Sequence, residues 1–414
     1  MGIAYFTCSI CGSTYSSQEV QYNCPRDGGN LDVHCDFESA DNKPSMESIL
    51  LSSEQSIWRF APLLPVPDPG YARTPLHQVG MTPVYQPETL REQLGLKQLW
   101  IKDESRNPSA SFKDRASAVV VAHALQTQQE VIIAASTGNA GAAMACMAAS
   151  VGMRAIILAP RTAPPAKVAQ LLVFGAQVIL VDGNYDQAFD LSIAASQIFS
   201  WYNRNTGYNP FTAEGKKTAA FEIWEQVLRQ LDPAAPPLTI YIPVGDGNII
   251  SGVYKGFLDL LSLGWIERLP RLIGVQAEGS AAIANAYLAG KDTVEPVNAV
   301  TVADSISVDL PRDGGRALRA VRETHGMFIK ISDEEILKSI ATLGKVGIFV
   351  EPAAAAAYAG LAKALKVGQQ DPSAPILVLC TGSGLKDINA AMRSVPAAPV
   401  IEPTIQALTK VIYG

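Results

Sequence analysis

Short apolar runs alternate with longer amphipathic segments over most of this chain, and that alternation limits the folds open to it. Leu99–Lys102, Val131–Ala135, Ala155–Leu158, Gln177–Val181, Leu238–Ile242, Arg271–Gln276 and Ile376–Leu379 have the length and apolar content of buried strands. Between them the sequence predicts helices over Asp114–Gln126, Thr137–Val151, Pro164–Phe174, Tyr185–Tyr202, Thr218–Gln230, Ser251–Leu263, Asp333–Leu343 and Pro352–Lys366. Strand followed by helix, repeated, predicts an α/β fold of parallel sheets covered on both faces. Ligands in such folds sit where strands end and helices begin, so the chemistry should lie in those turns.

Composition narrows the class. The 414 residues suit two or three domains, with 48% hydrophobic and 17% charged residues giving ample core material. A net charge of -6 points away from nucleic acid and anionic membrane surfaces. No uninterrupted apolar run reaches spanning length, and Met1–Cys8 lacks the basic-then-apolar form of a secretion signal. A cytoplasmic enzyme with a small-molecule substrate is expected. Six cysteines are too few for a disulfide scaffold, and Cys146 and Cys380 read as buried thiols.

The N-terminus has its own pattern. Cys8-x-x-Cys11-Gly12 and Cys24-Pro25-Arg26-Asp27-Gly28-Gly29 are the two turns of a zinc ribbon, with Asp27 where a fourth thiolate would stand. A site of Cys8, Cys11 and Cys24 completed by Asp27, or by His34 or Cys35, is one reading. The other, which the weakened ligand set favours, is a ribbon held by packing without metal. Residues 1–40 form this segment. A proline-rich linker follows over 41–75, with Asp41, Asn42, Pro44, Pro62, Pro65, Pro67 and Pro69 in or beside it. A large domain is expected over 76–120 and 215–414, with a small α/β domain over 121–214.

One lysine and three turns carry the chemistry. Lys113, in Ser111-Phe112-Lys113-Asp114-Arg115, lies between small and aromatic residues at a helix start. A Schiff-base lysine must be neutral part of the time, which needs desolvation or a neighbouring cation; Phe112 suits the first and Arg115 the second. The turn Ser136-Thr137-Gly138-Asn139 offers hydroxyls and amides to a carboxylate at a helix N-terminus. Gly245-Asp246-Gly247-Asn248-Ile249, between strand and helix, offers amides to a phosphate, though it is neither a Walker loop nor a dinucleotide fingerprint. Thr381, after the last strand, offers a neutral hydroxyl to a pyridine nitrogen. An amine, a phosphate cup, a carboxylate turn and a neutral ring partner together fit pyridoxal phosphate. Taken singly, each turn also fits a plain cap or glycine turn.

With these residues the sequence resembles the threonine synthases among the fold-type II pyridoxal-phosphate enzymes. Gly80-Met81-Thr82-Pro83, Lys102-Asp103-Glu104, Asn209-Pro210, Glu214-Gly215, Lys217-Thr218, Glu351-Pro352-Ala353 and Gly384-Leu385-Lys386-Asp387 extend the likeness over nearly the whole chain. The resemblance implies two parallel-sheet domains of the tryptophan synthase β kind and a homodimer. It implies that Lys113 carries the cofactor, Phe112 packs near the ring, Asn139 meets the 3′-oxygen, Gly245–Ile249 cup the phosphate and Thr381 faces the ring nitrogen. Ser136, Thr137 and Asn139, with Ala140 beside them, would form the substrate side. The implied reaction is O-phosphohomoserine plus water to threonine plus phosphate.

The departures fall on the substrate. Ala140 replaces a usual Thr, and Thr206, Gly207 and Thr212 stand where the family has Asn, Ser and Arg. Arg204, Lys216, Lys217 and Arg115 are the cations at hand to compensate, and the sequence places none of them. A different leaving group or substrate therefore stays open, as an ammonia-lyase or dehydratase, or as a β-replacement synthase of the cysteate or cysteine kind. A relative that binds cofactor without catalysis is the non-enzymatic reading, and the intact lysine motif argues against it. Glu351 is expected to cap the helix from Pro352.

Overall fold

The computed structural model describes residues 2–37, 43–163 and 165–413. Asp41, Asn42 and Pro164 lie outside these residues. Three sheets organise the chain. The first is a small antiparallel sheet, Thr14–Tyr15, Ile3–Cys8 and Leu31–Cys35 in that spatial order.

The second has six strands, in the order Met327–Ile331, Arg271–Ala277, Thr239–Pro243, Pro375–Cys380, Gln98–Asp103 and Val84–Tyr85. Its strands are parallel except the short Val84–Tyr85 edge. The third has four parallel strands, in the order Gln177–Val181, Arg154–Pro160, Val131–Ala135 and Tyr202–Asn203. Apolar strands such as Pro375–Cys380, buried along their whole length, need helices on both faces. The alanine-rich helix Pro352–Lys366, with Ala353–Ala357 fully buried, is one of these.

Three helices packed side by side form the centre: Lys113–Gln126, Phe211–Gln226 and Asn248–Ser262. They approach closely because small residues face one another. A Cβ on Gly252 would lie 2.7 Å from the Lys216 Cβ.

The structure departs from expectation in this region. Phe211–Gln226 begins seven residues before the expected Thr218 and ends at Gln226, followed by a short 3₁₀ turn, Leu228–Gln230. Glu214, Lys216 and Lys217 lie before the expected helix start, and all three are buried. Tyr202 does not end a helix. Tyr185–Phe199 stops at Ser200, whose φ is 56°, and Tyr202 then pairs with Ile132 as a strand. The helix Gly314–Glu323 and the strand Met327–Ile331 also went unread. Among the described residues no helix is long and apolar enough to cross a membrane.

Candidate active site

Three neighbouring strands of the six-stranded sheet deliver three parts of the site. Thr239–Pro243 leads into the glycine cup, Pro375–Cys380 leads into Thr381, and Gln98–Asp103 leads through a short 3₁₀ turn to Lys113. Between the first two strands the strand order reverses, the position at which open α/β sheets bind ligands.

Backbone pairing stitches these ends together. Phe112 N donates to Thr381 O (2.9 Å), Ser383 N to Ala110 O (3.1 Å) and Glu351 N to Gly382 O (3.0 Å). Ala110 takes a left-handed φ of 63° to make the turn. Lys113 then opens its helix, with Phe112 fully buried behind it. Burial pushes the Lys113 amine down to about 8; the Glu351 carboxylate opposes this and the Arg204 guanidinium adds to it.

Arg115 is not the cation that acts on Lys113. Its guanidinium is bound by Glu104 (2.7 Å) and Glu222 (2.5 Å), and Glu222 also takes Lys102 (2.8 Å), all fully buried. That charge is neutralised where it stands. Nor is Asp114 the lysine's partner, because it accepts both the amide (2.6 Å) and the hydroxyl of Ser109.

The cup runs from Gly245 through Asp246 and Gly247 into helix Asn248–Ser262, with Gly247 at φ 93°. No described residue accepts a hydrogen bond from the Gly245, Asp246 or Gly247 amide. The amides of Asn248 and Ile249 lie in the first helical turn, which lacks intrahelical partners. Free amides at a helix N-terminus fit a phosphate. The Asp246 carboxylate accepts from the Arg312 amide (2.6 Å), and burial pushes it up to about 6. Lys216 donates to the Asn248 side chain from the neighbouring helix.

The fourth strand end belongs to the other sheet. After Val131–Ala135, Ser136 accepts the Gly141 amide (3.1 Å), so its hydroxyl braces the turn. Thr137, Gly138 and Asn139 line a cleft together with Lys167, Gln170, Ser305, Glu351 and Lys386. Ser136 and Ala140 are not on its wall. Asn139 Nδ2 donates to both Glu351 oxygens (2.9 and 3.0 Å) and sits 3.2 Å from the Ser305 hydroxyl. Glu351 stands at the N-terminal position of helix Pro352–Lys366 but makes no side-chain cap; its carboxylate turns to Asn139 and Ser305 instead. Thr381 Oγ1 makes no hydrogen bond to a described residue, which leaves it free for a ring nitrogen. Lys167 bonds Asp304 and Lys386 bonds Gln170 (2.9 Å) along the cleft lining, pairings that no local motif marks.

At the ribbon, the donor atoms of Cys8, Cys11, Cys24 and Asp27 lie within 4.8 Å of one another. His34, stacked on Tyr5, and Cys35 are not in that group.

A lysine with a depressed pKa, a free-amide cup and an unengaged hydroxyl, carried by segments that follow adjacent parallel strands, fit pyridoxal phosphate. The family model "Pyridoxal-phosphate dependent enzyme" matches residues 76–382. A threonine synthase of Methanocaldococcus jannaschii is 37% identical over 98% of each chain, and one of Methanosarcina acetivorans is 37% identical over 99% of each. The chain belongs to the threonine synthase family of pyridoxal-phosphate dependent enzymes. Its fold is also that of threonine deaminase isoform 2 from Solanum lycopersicum (TM-score 0.65, 21% identity, 78% of this chain and 86% of that one). Maize serine racemase shares it as well (TM-score 0.63, 24% identity, 76% and 91%).

Proposed function

We propose that this protein converts O-phosphohomoserine and water into threonine and phosphate. The observation that carries the reading is Lys113: an amine whose pKa is lowered by burial, beside Phe112 whose amide pairs with Thr381 O, with the charges of Glu351 and of Asp246 in the cup acting on it. When bound, pyridoxal phosphate supplies the electron sink for deprotonation beside the amino group. Lys113 attaches the cofactor and, once released, moves protons at Cα and Cβ of the substrate. The amides of Gly245, Asp246, Gly247, Asn248 and Ile249 hold the cofactor phosphate. Phe112 packs near the ring, Asn139 meets its 3′-oxygen and Thr381 faces its nitrogen without protonating it. The turn from Ser136 to Ala140 orients the substrate carboxylate through Thr137, Asn139 and its amides. The Lys167–Asp304 and Lys386–Gln170 contacts join residues that line the cleft.

The test is direct. Purified protein incubated with O-phosphohomoserine is expected to yield threonine and phosphate in equal amounts. Keto acid from serine, threonine or diaminopropionate, with no phosphate release, would replace this reading with a dehydratase or ammonia-lyase.

The ribbon has a reading of its own. The Cys11–Cys24 Sγ separation of 3.8 Å is about the edge of a tetrahedron with ~2.3 Å zinc–sulfur bonds. We propose structural zinc there, with Asp27 as fourth ligand; metal analysis should find about one zinc per chain, lost in Cys24→Ser. A cytoplasmic homodimer is the expected form, checked by light scattering in solution.

A further inference from the structure

Buried charge in this protein is nearly always paired. Arg115 and Lys102 face Glu104 and Glu222, while Lys217 and Lys255 face Glu214 and Asp259 at 2.7 to 3.7 Å. Arg204 and Lys216 are the exceptions. Each is about as buried as those, and neither has a carboxylate within ion-pair distance among the described residues.

Arg204 follows the Tyr202–Asn203 strand, its amide bound to Ile133 O at 2.8 Å. Nε donates to Ser117 Oγ (3.2 Å), on the Lys113 helix and one turn beyond that lysine. Nη1 donates to Thr206 Oγ1 (2.7 Å). Nη2 is buried and has no hydrogen-bond partner among the described residues. The Thr206 hydroxyl, having accepted from Nη1, keeps its own hydrogen to give. The next residue, Gly207, abuts the Asp246 loop: a Cβ there would lie 3.4 Å from Asp246 Oδ2. The guanidinium therefore stands between the Lys113 helix and the cup. Lys216 is tied to the cup itself through Asn248.

Taking an unpaired guanidinium out of water is unfavourable unless an anion compensates it. None of the nearby carboxylates comes within ion-pair distance. Asp114 is held by Ser109, Asp313 pairs with Arg316, and Glu351 is held by Asn139 and Ser305. Asp246 accepts the Arg312 amide on one oxygen while its other is buried with no partner among the described residues, and burial pushes its pKa up to about 6. We infer that Arg204 and Thr206 form a subsite for the phosphate group of the substrate, and that Lys216 serves the cofactor phosphate at the helix N-terminus. A planar guanidinium with a free N–H and an adjacent hydroxyl suits an anion with several oxygens, and not an uncharged side chain. This assignment rests on the proposed function for its substrate.

The experiment uses the cofactor-loaded protein with O-phosphohomoserine as substrate and inorganic phosphate as inhibitor. Arg204→Met should keep the visible cofactor band and the melting temperature of the unloaded protein. It should raise both KM and the phosphate inhibition constant on the order of 100-fold. Arg204→Lys should recover part of each, and Thr206→Val should cost several-fold. Lys216→Met should instead weaken cofactor binding, read as the pyridoxal phosphate concentration that restores the band. Unchanged phosphate inhibition in Arg204→Met overturns the inference, as does a lowered melting temperature with an unchanged inhibition constant, or loss of the band. If wild-type protein releases no phosphate from O-phosphohomoserine, the functional reading fails on its own. The subsite is then judged by whether inorganic phosphate stabilises wild-type protein thermally and not Arg204→Met.

Discussion

Helix Phe211–Gln226 separates two kinds of buried charge. On one side Glu222 meets Arg115 and Lys102, and with Glu104 the four charges close on themselves. On the other, Lys216, Arg204 and Lys113 gather with no anion of the chain in ion-pair contact, and burial lowers the pKa of all three. The closed set can only hold the helices in register. The open set is held at a cost in stability, which is reasonable if bound anions complete it. Pairing therefore separates the two sets here where burial does not, since Arg204 and Lys216 are as buried as Arg115 and Lys102, while Lys113 is half-buried.

The comparison can be broken from either side. The largest effect is expected at Lys113. Lys113→Ala should reduce turnover at least ~10³-fold and abolish the visible band while leaving the fold intact; a persisting band would remove Lys113 from the site. Next comes the closed set. Glu222→Gln leaves Lys102 with no carboxylate partner and Arg115 with Glu104 alone, and should cost about 3–5 kcal/mol in denaturant unfolding, with no change in KM for molecules that remain folded. A loss under 1 kcal/mol would mean the two sets do not differ. The same unfolding measurement on unloaded Arg204→Met should give no loss, or a gain, because an uncompensated charge has been removed.

The smallest effect is in pH. Free Lys113 must be neutral to attack the cofactor, and its folded pKa, about 8, lies below the ordinary 10.5. Cofactor capture by unloaded protein should therefore speed up as pH rises through about 8 and level off above it. By linkage, the unfolded state holds the extra proton between about 8 and 10.5, so this group's contribution to stability rises with pH across that window. The Glu351 charge raises the Lys113 pKa and the Arg204 charge lowers it. Glu351→Gln should move the capture profile to lower pH and Arg204→Met to higher pH. Shifts in the opposite sense would separate these groups from the lysine.

Much of the site was legible because strand-to-helix turns carry local signals. Lys113, the Gly245–Ile249 cup and Asn139 stand on such turns, and glycine, small residues and position after an apolar run mark them in sequence. The misreadings share one cause. Arg115 is close to Lys113 in sequence, yet two residues along a helix point it to another face, toward Glu222 from a distant helix. Glu351 sits where a cap would sit, yet Asn139, from the other sheet, claims its carboxylate.

The sequence alone determined the alternating α/β plan, the lysine, the turns and hence the cofactor, since these depend on periodicity and backbone chemistry within a few residues. It left four candidate cations, Arg204, Lys216, Lys217 and Arg115, with nothing to choose among them. Only the tertiary structure decided that Lys217 and Arg115 are paired and that Arg204 and Lys216 are not. Whether a buried charge is compensated depends on partners brought close by packing from far along the chain, and no local pattern encodes that distance.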